Sequence, residues 1–214
     1  MNPVKESWDA GKPVINGWLS IPSSFTAEIL AAGGYDSLTC DWQHGILGFN
    51  DLLPMLQAIH GTGVAPIVRV PWLDPGAVMK ALDTGALGII CPMVSNAEQA
   101  ATFASYMRYP PRGTRSFGPT RAVFAHGNDY LQVANDTVLA LAMIETAEGV
   151  ANVEAIAATD GIDALYIGPS DLTLGYTNGA LPPGLDREEP EMIEVLHRIR
   201  DAAHDAGKKA CIHC

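Results

Sequence analysis

The sequence predicts an α/β fold, and within that class a (β/α)8 TIM barrel that lacks its last βα unit. Short apolar runs alternate with amphipathic stretches along the 214 residues, as in βα units built around a parallel sheet. Seven such runs recur, most of them about 25 residues apart, whereas a closed eight-stranded barrel normally needs about 250 residues. A doubly wound open sheet could also use seven strands, but no Gly-x-Gly-x-x-Gly follows the first one. We therefore expect one barrel domain over residues 1–214, with an eighth strand and helix absent from this sequence.

Each predicted strand is a short apolar run that turn-forming residues bound on both sides. The runs cover residues 14–19, 37–40, 65–70, 88–91, 138–144, 164–167 and 209–213. Amphipathic stretches between them predict helices over residues 26–32, 50–60, 75–83, 96–109, 148–158 and 188–206. Asn50, Asp51 and Asn96 are predicted N-caps, and Pro75 suits a first helical turn. Two longer connections, at residues 110–130 and 175–190, are expected to be functional or mobile.

Composition and charge narrow the class of protein. Hydrophobic residues make up 48% and charged residues 17% of the chain, which excludes a mainly disordered protein. The net charge of −11 argues against nucleic acid and anionic membrane surfaces as partners. No signal peptide is recognisable, and no stretch approaches the roughly 20 apolar residues of a membrane span, so we expect a cytoplasmic location. The thiols of Cys40, Cys91, Cys211 and Cys214 are expected to be buried and reduced, because too few further ligands accompany them for a zinc site.

Two acidic residues follow apolar runs that are one βα unit apart. Glu145 comes directly after the run at 139–144, and Asp171 follows the run at 164–167 through a Gly-Pro-Ser turn. Barrel enzymes build their sites at the carboxyl ends of the strands, and two carboxylates with waters and substrate oxygens suit Mg²⁺ or Mn²⁺. The alternative is a pair of capping or salt-bridged carboxylates, but few basic residues lie nearby in the sequence. We therefore predict a divalent-cation site.

Other chemistry-bearing residues fall at the same ends of the predicted strands. Asp41 and His44 follow the second strand, where they could form a carboxylate–imidazole dyad with a strengthened base. Each also has a structural interpretation, Asp41 as a loop cap and His44 as an ordinary loop histidine. Arg69 ends the third strand, and a charge within an apolar strand must find a partner or a ligand. These positions predict a substrate site.

At these residues the sequence resembles the HpcH/HpaI aldolase family, whose members are metal-dependent class II pyruvate aldolases acting on hydroxy-keto acids. The resemblance extends from about residue 16 to residue 214. The matching stretches are Asp41-Trp-Gln-His-Gly45, Arg69-Val-Pro71, Leu82-Asp-Thr-Gly-Ala86, Pro111-Arg-Gly-Thr-Arg115, Ile144-Glu-Thr146 and Ile167-Gly-Pro-Ser-Asp-Leu172. No single stretch is decisive, and the six in this order carry the resemblance together.

The resemblance implies a role for most of the strand-end residues. Glu145 and Asp171 would hold the cation, which would be Mg²⁺, Mn²⁺ or Co²⁺. His44 would be the general base with Asp41 as its partner. Asp83 matches a residue that raises the basicity of that histidine across a subunit contact, and Arg69 would stabilise negative charge developing on substrate oxygens.

The resemblance also implies how the substrate and subunits are arranged. The segment Gly168, Pro169, Ser170 and Asp171 would bind the pyruvate carboxylate through its backbone. The assembly would be a homo-oligomer, a hexamer built as a trimer of dimers. No lysine occupies a strand-end position suited to a Schiff base, so a metal mechanism is favoured over an imine mechanism.

Two residues depart from the family pattern, the expected lack of an eighth strand and helix is a third departure, and two other functions stay open. Gln43 stands where many relatives have Glu, and Met143 stands where a Gln is often found. One alternative function is an acyl-CoA carbon–carbon lyase of the malyl- or citramalyl-CoA type. The other is a non-catalytic binding protein derived from the barrel. The favoured prediction is reversible retro-aldol cleavage of 4-hydroxy-2-keto acids to pyruvate and an aldehyde.

Overall fold

A computed structural model describes residues 2–214, and within them lie seven strands and eleven helices. The strands are β1 (Asn16–Leu19), β2 (Ser37–Asp41), β3 (Ala65–Arg69), β4 (Gly88–Cys91), β5 (Leu139–Ile144), β6 (Ala164–Ile167) and β7 (Lys209–Ile212). The helices are α1 (Pro3–Asp9), α2 (Ser24–Ala31), α3 (Phe49–Ile59), α4 (Pro75–Asp83), α5 (Ala97–Met107), α6 (Ala122–His126), α7 (Tyr130–Thr137), α8 (Ala147–Ala151), α9 (Val153–Ala157), α10 (Pro169–Tyr176) and α11 (Pro190–Asp205). No helix of the described chain is long and apolar enough to cross a membrane.

The strands follow one another in a single sheet in the order β1-β2-β3-β4-β5-β6-β7. β1 pairs in parallel with β2 and β2 with β3, and β5 pairs in parallel with β6 and β6 with β7. The predicted α/β class with a parallel sheet is therefore confirmed. Every strand begins and ends within two residues of its prediction, and the strands from β2 to β6 are buried at every position.

Most differences from the predicted elements concern helices. The stretch predicted at 148–158 is two short helices, α8 and α9, which meet at Asn152. Helices α1, α6, α7 and α10 were not predicted, and α6 lies wholly within the connection at residues 110–130. The predicted caps at Asn50 and Asp51 are wrong, because α3 begins one residue earlier with Gly48 as its N-cap, and the Asp51 carboxylate accepts the Gly48 N–H at 2.7 Å. Asn96 is confirmed as a cap, since its Oδ1 accepts the Gln99 N–H at 3.0 Å.

The chain divides into two compact units, and each is described by itself. Unit 1 comprises residues 2–89 with Ser105–Leu139. In it β2 and β3 are buried at every position, as expected for parallel strands covered on both faces. Helices α2 and α3 pack against each other, and α4 begins at Pro75 with Asp74 accepting the Ala77 N–H at 2.7 Å. This packing fixes the ends of β2 and β3, where three of the predicted site residues lie.

Unit 2 comprises Ile90–Ala104 with Ala140–Cys214. Strands β5 and β6 are completely buried, and α11 packs against β6, β7 and α9. Ile144 at the end of β5 pairs with Ile167 at the end of β6. The two connections that carry Glu145 and Asp171 therefore leave neighbouring strands at the same edge.

Candidate active site

In unit 1, Asp41 and Arg69 form a buried ion pair. Each is the last residue of its strand, and the pairing of β2 with β3 places the two side by side. Arg69 donates from Nε to Oδ1 at 2.8 Å and from Nη2 to Oδ2 at 2.6 Å, so the carboxylate is held by two parallel hydrogen bonds. The guanidinium carbon also lies 4.7 Å from the ring centroid of Trp18. The positive charge of Arg69, at the end of an apolar strand, is thus paired with Asp41 and lies against the ring of Trp18.

The environment of Asp41 keeps its carboxyl group ionised. Burial alone would raise the pKa of Asp41, but the hydrogen bonds and the positive charge of Arg69 outweigh it. The backbone N–H groups of Gln43 and His44 donate to Oδ1 at 3.2 and 3.3 Å and act in the same direction. The pKa of Asp41 consequently lies below its ordinary value.

His44 lies in the tight turn after β2, with its side chain exposed. The predicted side-chain dyad with Asp41 is not formed, because Arg69 and backbone N–H groups occupy the carboxylate and His44 reaches it only through its own N–H. The turn depends on Gly45, where a Cβ would lie 2.2 Å from the carbonyl oxygen of Asp41 and 3.1 Å from the Cα of Ser20. The exposed imidazole is therefore carried by a turn that only glycine can close.

Asp83 ends α4 and pairs with an arginine that the sequence did not single out as a site residue. Arg115 donates from Nη2 to Asp83 Oδ1 at 2.9 Å and from Nη1 to the Tyr130 hydroxyl at 3.1 Å. Burial raises the pKa of Asp83, and the hydrogen bond and positive charge of Arg115 oppose that rise without cancelling it. Within the described chain the carboxylate makes no hydrogen bond to His44.

In unit 2, Glu145 is an almost completely buried carboxylate, 2% exposed. Its Oε1 accepts the backbone N–H of Met93 at 2.7 Å, and Met93 adopts a left-handed φ of 59°, uncommon for a residue other than glycine. A Cβ at Gly168 would lie 2.5 Å from Glu145 Oε2 and 2.9 Å from the Cε of Met143. Close packing on one side and a strained donor on the other therefore hold this carboxylate in place.

Asp171 is the third residue of α10, and its side chain is exposed. The helix begins with Gly168 as N-cap and Pro169 in its first turn, so the Gly-Pro-Ser sequence starts a helix rather than a simple turn. The first N–H groups of a helix have no partner within it, and its amino end favours negative charge. The first turn of α10 thus combines a carboxylate with backbone N–H groups that have no partner within the helix.

The two carboxylates of unit 2 fit a hard divalent cation by their chemistry. Both are oxygen donors, and both follow neighbouring strands. Residues 2–214 contain no group of three or more His, Cys, Asp or Glu side chains arranged to bind a metal. The proposed site has only two protein carboxylates, with water and substrate as the remaining ligands, so it does not require such a group of three.

The cysteines divide by exposure. Cys40 and Cys91 are buried, Cys211 is half-buried and Cys214 is exposed, and all four are free thiols. The prediction that all are buried is therefore wrong for Cys214, which follows the last strand rather than lying in it. Burial, with a smaller contribution from the charge of Asp41, raises the pKa of the Cys40 thiol to about 12.

Residues 16–212 match the protein family described as HpcH/HpaI aldolase/citrate lyase. The match covers most of the chain, and the chain belongs to this family. The predicted family is confirmed.

Individual relatives are similar over nearly the whole chain. A hydroxypyruvate/pyruvate aldolase from Rhizorhabdus wittichii is 45% identical over 214 residues, which is 100% of this chain and 84% of the relative. A 4-hydroxy-2-oxo-heptane-1,7-dioate aldolase from Klebsiella pneumoniae is 37% identical over 210 residues, covering 97% of this chain and 77% of the relative. The crystal structure of an HpcH/HpaI aldolase/citrate lyase family protein from Burkholderia cenocepacia matches with a TM-score of 0.89 and 34% identity, covering 99% of this chain and 84% of that one.

Proposed function

We propose that the protein is a class II pyruvate aldolase, which cleaves 4-hydroxy-2-keto acids reversibly to pyruvate and an aldehyde with the help of a divalent cation. Family membership and the two aldolases named above support this reaction class. The observation that carries the proposal is Glu145, a buried carboxylate with one oxygen fixed by Met93 and the other packed against Gly168. A carboxylate fixed in this way at the end of a strand is suited to holding a hard cation.

Glu145 and Asp171 would hold the cation, with Mg²⁺ or Mn²⁺ favoured and Co²⁺ as a further candidate. When bound, the cation supplies Lewis-acid stabilisation of the negative charge that develops on the keto oxygen. The backbone of Gly168, Pro169, Ser170 and Asp171 would bind the pyruvate carboxylate, since the free N–H groups of the first turn of α10 are suited to an anion. Proline has no N–H, so Ser170 and Asp171 would be the donors within that turn.

The proton transfer would belong to His44, whose imidazole is exposed and makes no hydrogen bond to any of residues 2–214. His44 would take the proton from the C4 hydroxyl as the C3–C4 bond breaks, and the aldehyde would leave. The electron pair stays on the three-carbon fragment as the enolate, which becomes pyruvate when C3 is protonated. Arg69, held in place by Asp41, would place positive charge near the substrate oxygens. Asp83 would raise the basicity of His44 across a subunit contact.

The architecture and setting of the enzyme are part of the same proposal. The seven βα elements would form a single domain and belong to a (β/α)8 barrel, which the strand order and the Burkholderia structure support. A cytoplasmic location is supported by four free thiols, which suit a reducing compartment. Self-association is supported by apolar side chains on α2, where Phe25 is 68% and Ile29 54% exposed. The hexamer built as a trimer of dimers is what the family resemblance implies.

The test is pyruvate release from a panel of 4-hydroxy-2-keto acids, with and without a chelator. We expect turnover that a chelator abolishes and that added Mg²⁺ or Mn²⁺ restores. A parallel assay with malyl-CoA addresses the acyl-CoA lyase alternative, and turnover confined to the thioester would reject the aldolase. Binding of pyruvate and metal without turnover of any substrate would instead favour the non-catalytic alternative.

A further inference from the structure

The connection between α5 and α6 contributes a completely buried arginine to the end of α4. The side chain of Arg115 is 0% exposed, whereas that of Asp83, its ion-pair partner, is 19% exposed. The guanidinium carbon lies 4.4 Å from the Tyr109 ring centroid and 5.6 Å from that of Tyr130. Two aromatic rings and two hydrogen bonds thus hold the guanidinium in one orientation.

Arg115 contacts only one of the two carboxylate oxygens of Asp83. Arg115 Nη2 contacts Oδ1, and within residues 2–214 Oδ2 has no hydrogen-bond partner. The arginine therefore approaches from the buried side, while the partly exposed side of the carboxylate is left for another group. Such an arrangement fixes the orientation of the Asp83 carboxylate and favours its ionised form, as is needed for a carboxylate that interacts with a neighbouring side chain.

We propose that Arg115 is a positioning residue for the aldolase reaction, which holds Asp83 ionised and correctly oriented so that Asp83 can strengthen the base His44. The inference rests on the proposed function, in which Asp83 assists His44. Arg115 itself would contact neither the substrate nor the divalent cation. It would affect the reaction only through the carboxylate of Asp83.

The charges around Asp83 explain why such a residue is needed. Burial favours the neutral carboxyl group, and the phenol groups of Tyr109 and Tyr130 provide no compensating positive charge. The guanidinium of Arg115 contacts the carboxylate directly. Arg121, by contrast, donates from Nη1 to the backbone carbonyl oxygen of Thr84 at the end of α4. Without Arg115 the pKa of Asp83 would rise further. The carboxyl group would then be protonated over more of the working pH range, and a neutral carboxyl stabilises an imidazolium poorly.

The test compares pyruvate release by wild type, Arg115→Met, Asp83→Asn and the double variant as a function of pH. We expect Asp83→Asn to lower kcat about 100-fold and Arg115→Met about 10-fold, with KM nearly unchanged. The acid limb of the kcat profile should move to higher pH in Arg115→Met. In the Asp83→Asn background, Arg115→Met should lower kcat no further, because both changes remove the same effect.

Further variants separate positioning from folding. Arg115→Lys keeps the charge and should restore the pH profile while recovering only part of kcat. Tyr130→Phe removes one hydrogen bond to Arg115, keeps the ring, and should lower kcat by a few-fold. The matched control is Arg112→Met, since Arg112 lies three residues away and pairs with Asp136 at the surface. It should leave kcat and the pH profile unchanged.

The outcomes distinguish this inference from the proposed function. An active wild type with an unchanged pH profile in Arg115→Met would overturn the inference alone. Losses that multiply in the double variant would also overturn it, because Arg115 would then act independently of Asp83. If wild type releases no pyruvate from any hydroxy-keto acid, the proposed function fails and this inference falls with it.

Discussion

Replacing Gly168 by alanine tests the shape of the proposed cation site. The new Cβ would lie 2.5 Å from Glu145 Oε2, whereas ordinary contacts begin at 3.4 Å, so the carboxylate must move by about 0.9 Å. The Cε of Met143, at 2.9 Å, blocks relief on one side, and the hydrogen bond from Met93 holds the other oxygen. Mutation of residues that position metal ligands typically costs about 10- to 100-fold in metal affinity, and we expect a loss of this size for Mn²⁺. Overpacking of a buried site adds about 1–3 kcal/mol of destabilisation.

The assay is calorimetric titration of metal-free Gly168→Ala with Mn²⁺, together with thermal unfolding. Gly175→Ala is the matched control on the same helix, because its Cβ would meet no atom closer than 3.6 Å. That control should keep wild-type Mn²⁺ affinity and gain up to about 1 kcal/mol of helix stability. Wild-type Mn²⁺ affinity in a folded Gly168→Ala would refute the placement of the cation beside Glu145.

Three further predictions concern the rest of the chain. Arg69→Met should destabilise the fold by about 3–5 kcal/mol in chemical denaturation, because the buried carboxylate of Asp41 would lose its ion-pair partner. The folded-state pKa of Asp41 is lowered, so the stability that this ion pair contributes should be complete above about pH 4. It should be lost only as the pH falls through the folded-state pKa. His44→Ala should abolish pyruvate release while Mn²⁺ binding and thermal stability stay at wild-type values, and retained turnover would exclude His44 as the base. In the native protein an aromatic disulfide reagent should modify Cys214 rapidly and Cys40 only on unfolding, as exposure and the raised pKa of the buried thiol require; rapid reaction of Cys40 would contradict the observed packing.

The sheet could be predicted well from the sequence because its signal is local. Each strand is a short apolar run bounded by turn-forming residues, and such a run can be recognised without knowledge of the strands beside it. Helix α10 could not be predicted in the same way, because its eight residues mix proline, glycine and polar side chains. The division of α8 from α9 depends on Asn152, whose side chain donates to the carbonyl of Ser95, 57 residues away. Such a contact leaves no trace in local periodicity.

The sequence predicts where the candidate site residues lie along the strands, but it does not predict which groups their side chains contact. The placement of Asp41, Arg69 and Glu145 at strand ends follows from where the apolar runs stop. Which groups they contact depends on distant parts of the chain: Glu145 receives its hydrogen bond from a residue 52 positions earlier. For the same reason the Asp41–His44 dyad was expected from sequence proximity, whereas Arg69, 28 positions away, takes the carboxylate. Arg115 stands in one of the six matching stretches, but its buried ion pair with Asp83, 32 positions earlier, could not be predicted from that stretch.

The central claim is that Glu145 and Asp171 hold the cation on which pyruvate formation depends. The most direct measurement is Mn²⁺ stoichiometry, followed by electron paramagnetic resonance, together with pyruvate release, in wild type and in the double variant Glu145→Gln/Asp171→Asn. We expect about one Mn²⁺ per chain in wild type, with both Mn²⁺ binding and pyruvate release lost together in a folded double variant. A double variant that still binds one Mn²⁺ with wild-type affinity, or a wild-type enzyme that releases pyruvate at full rate in excess chelator, would contradict the account.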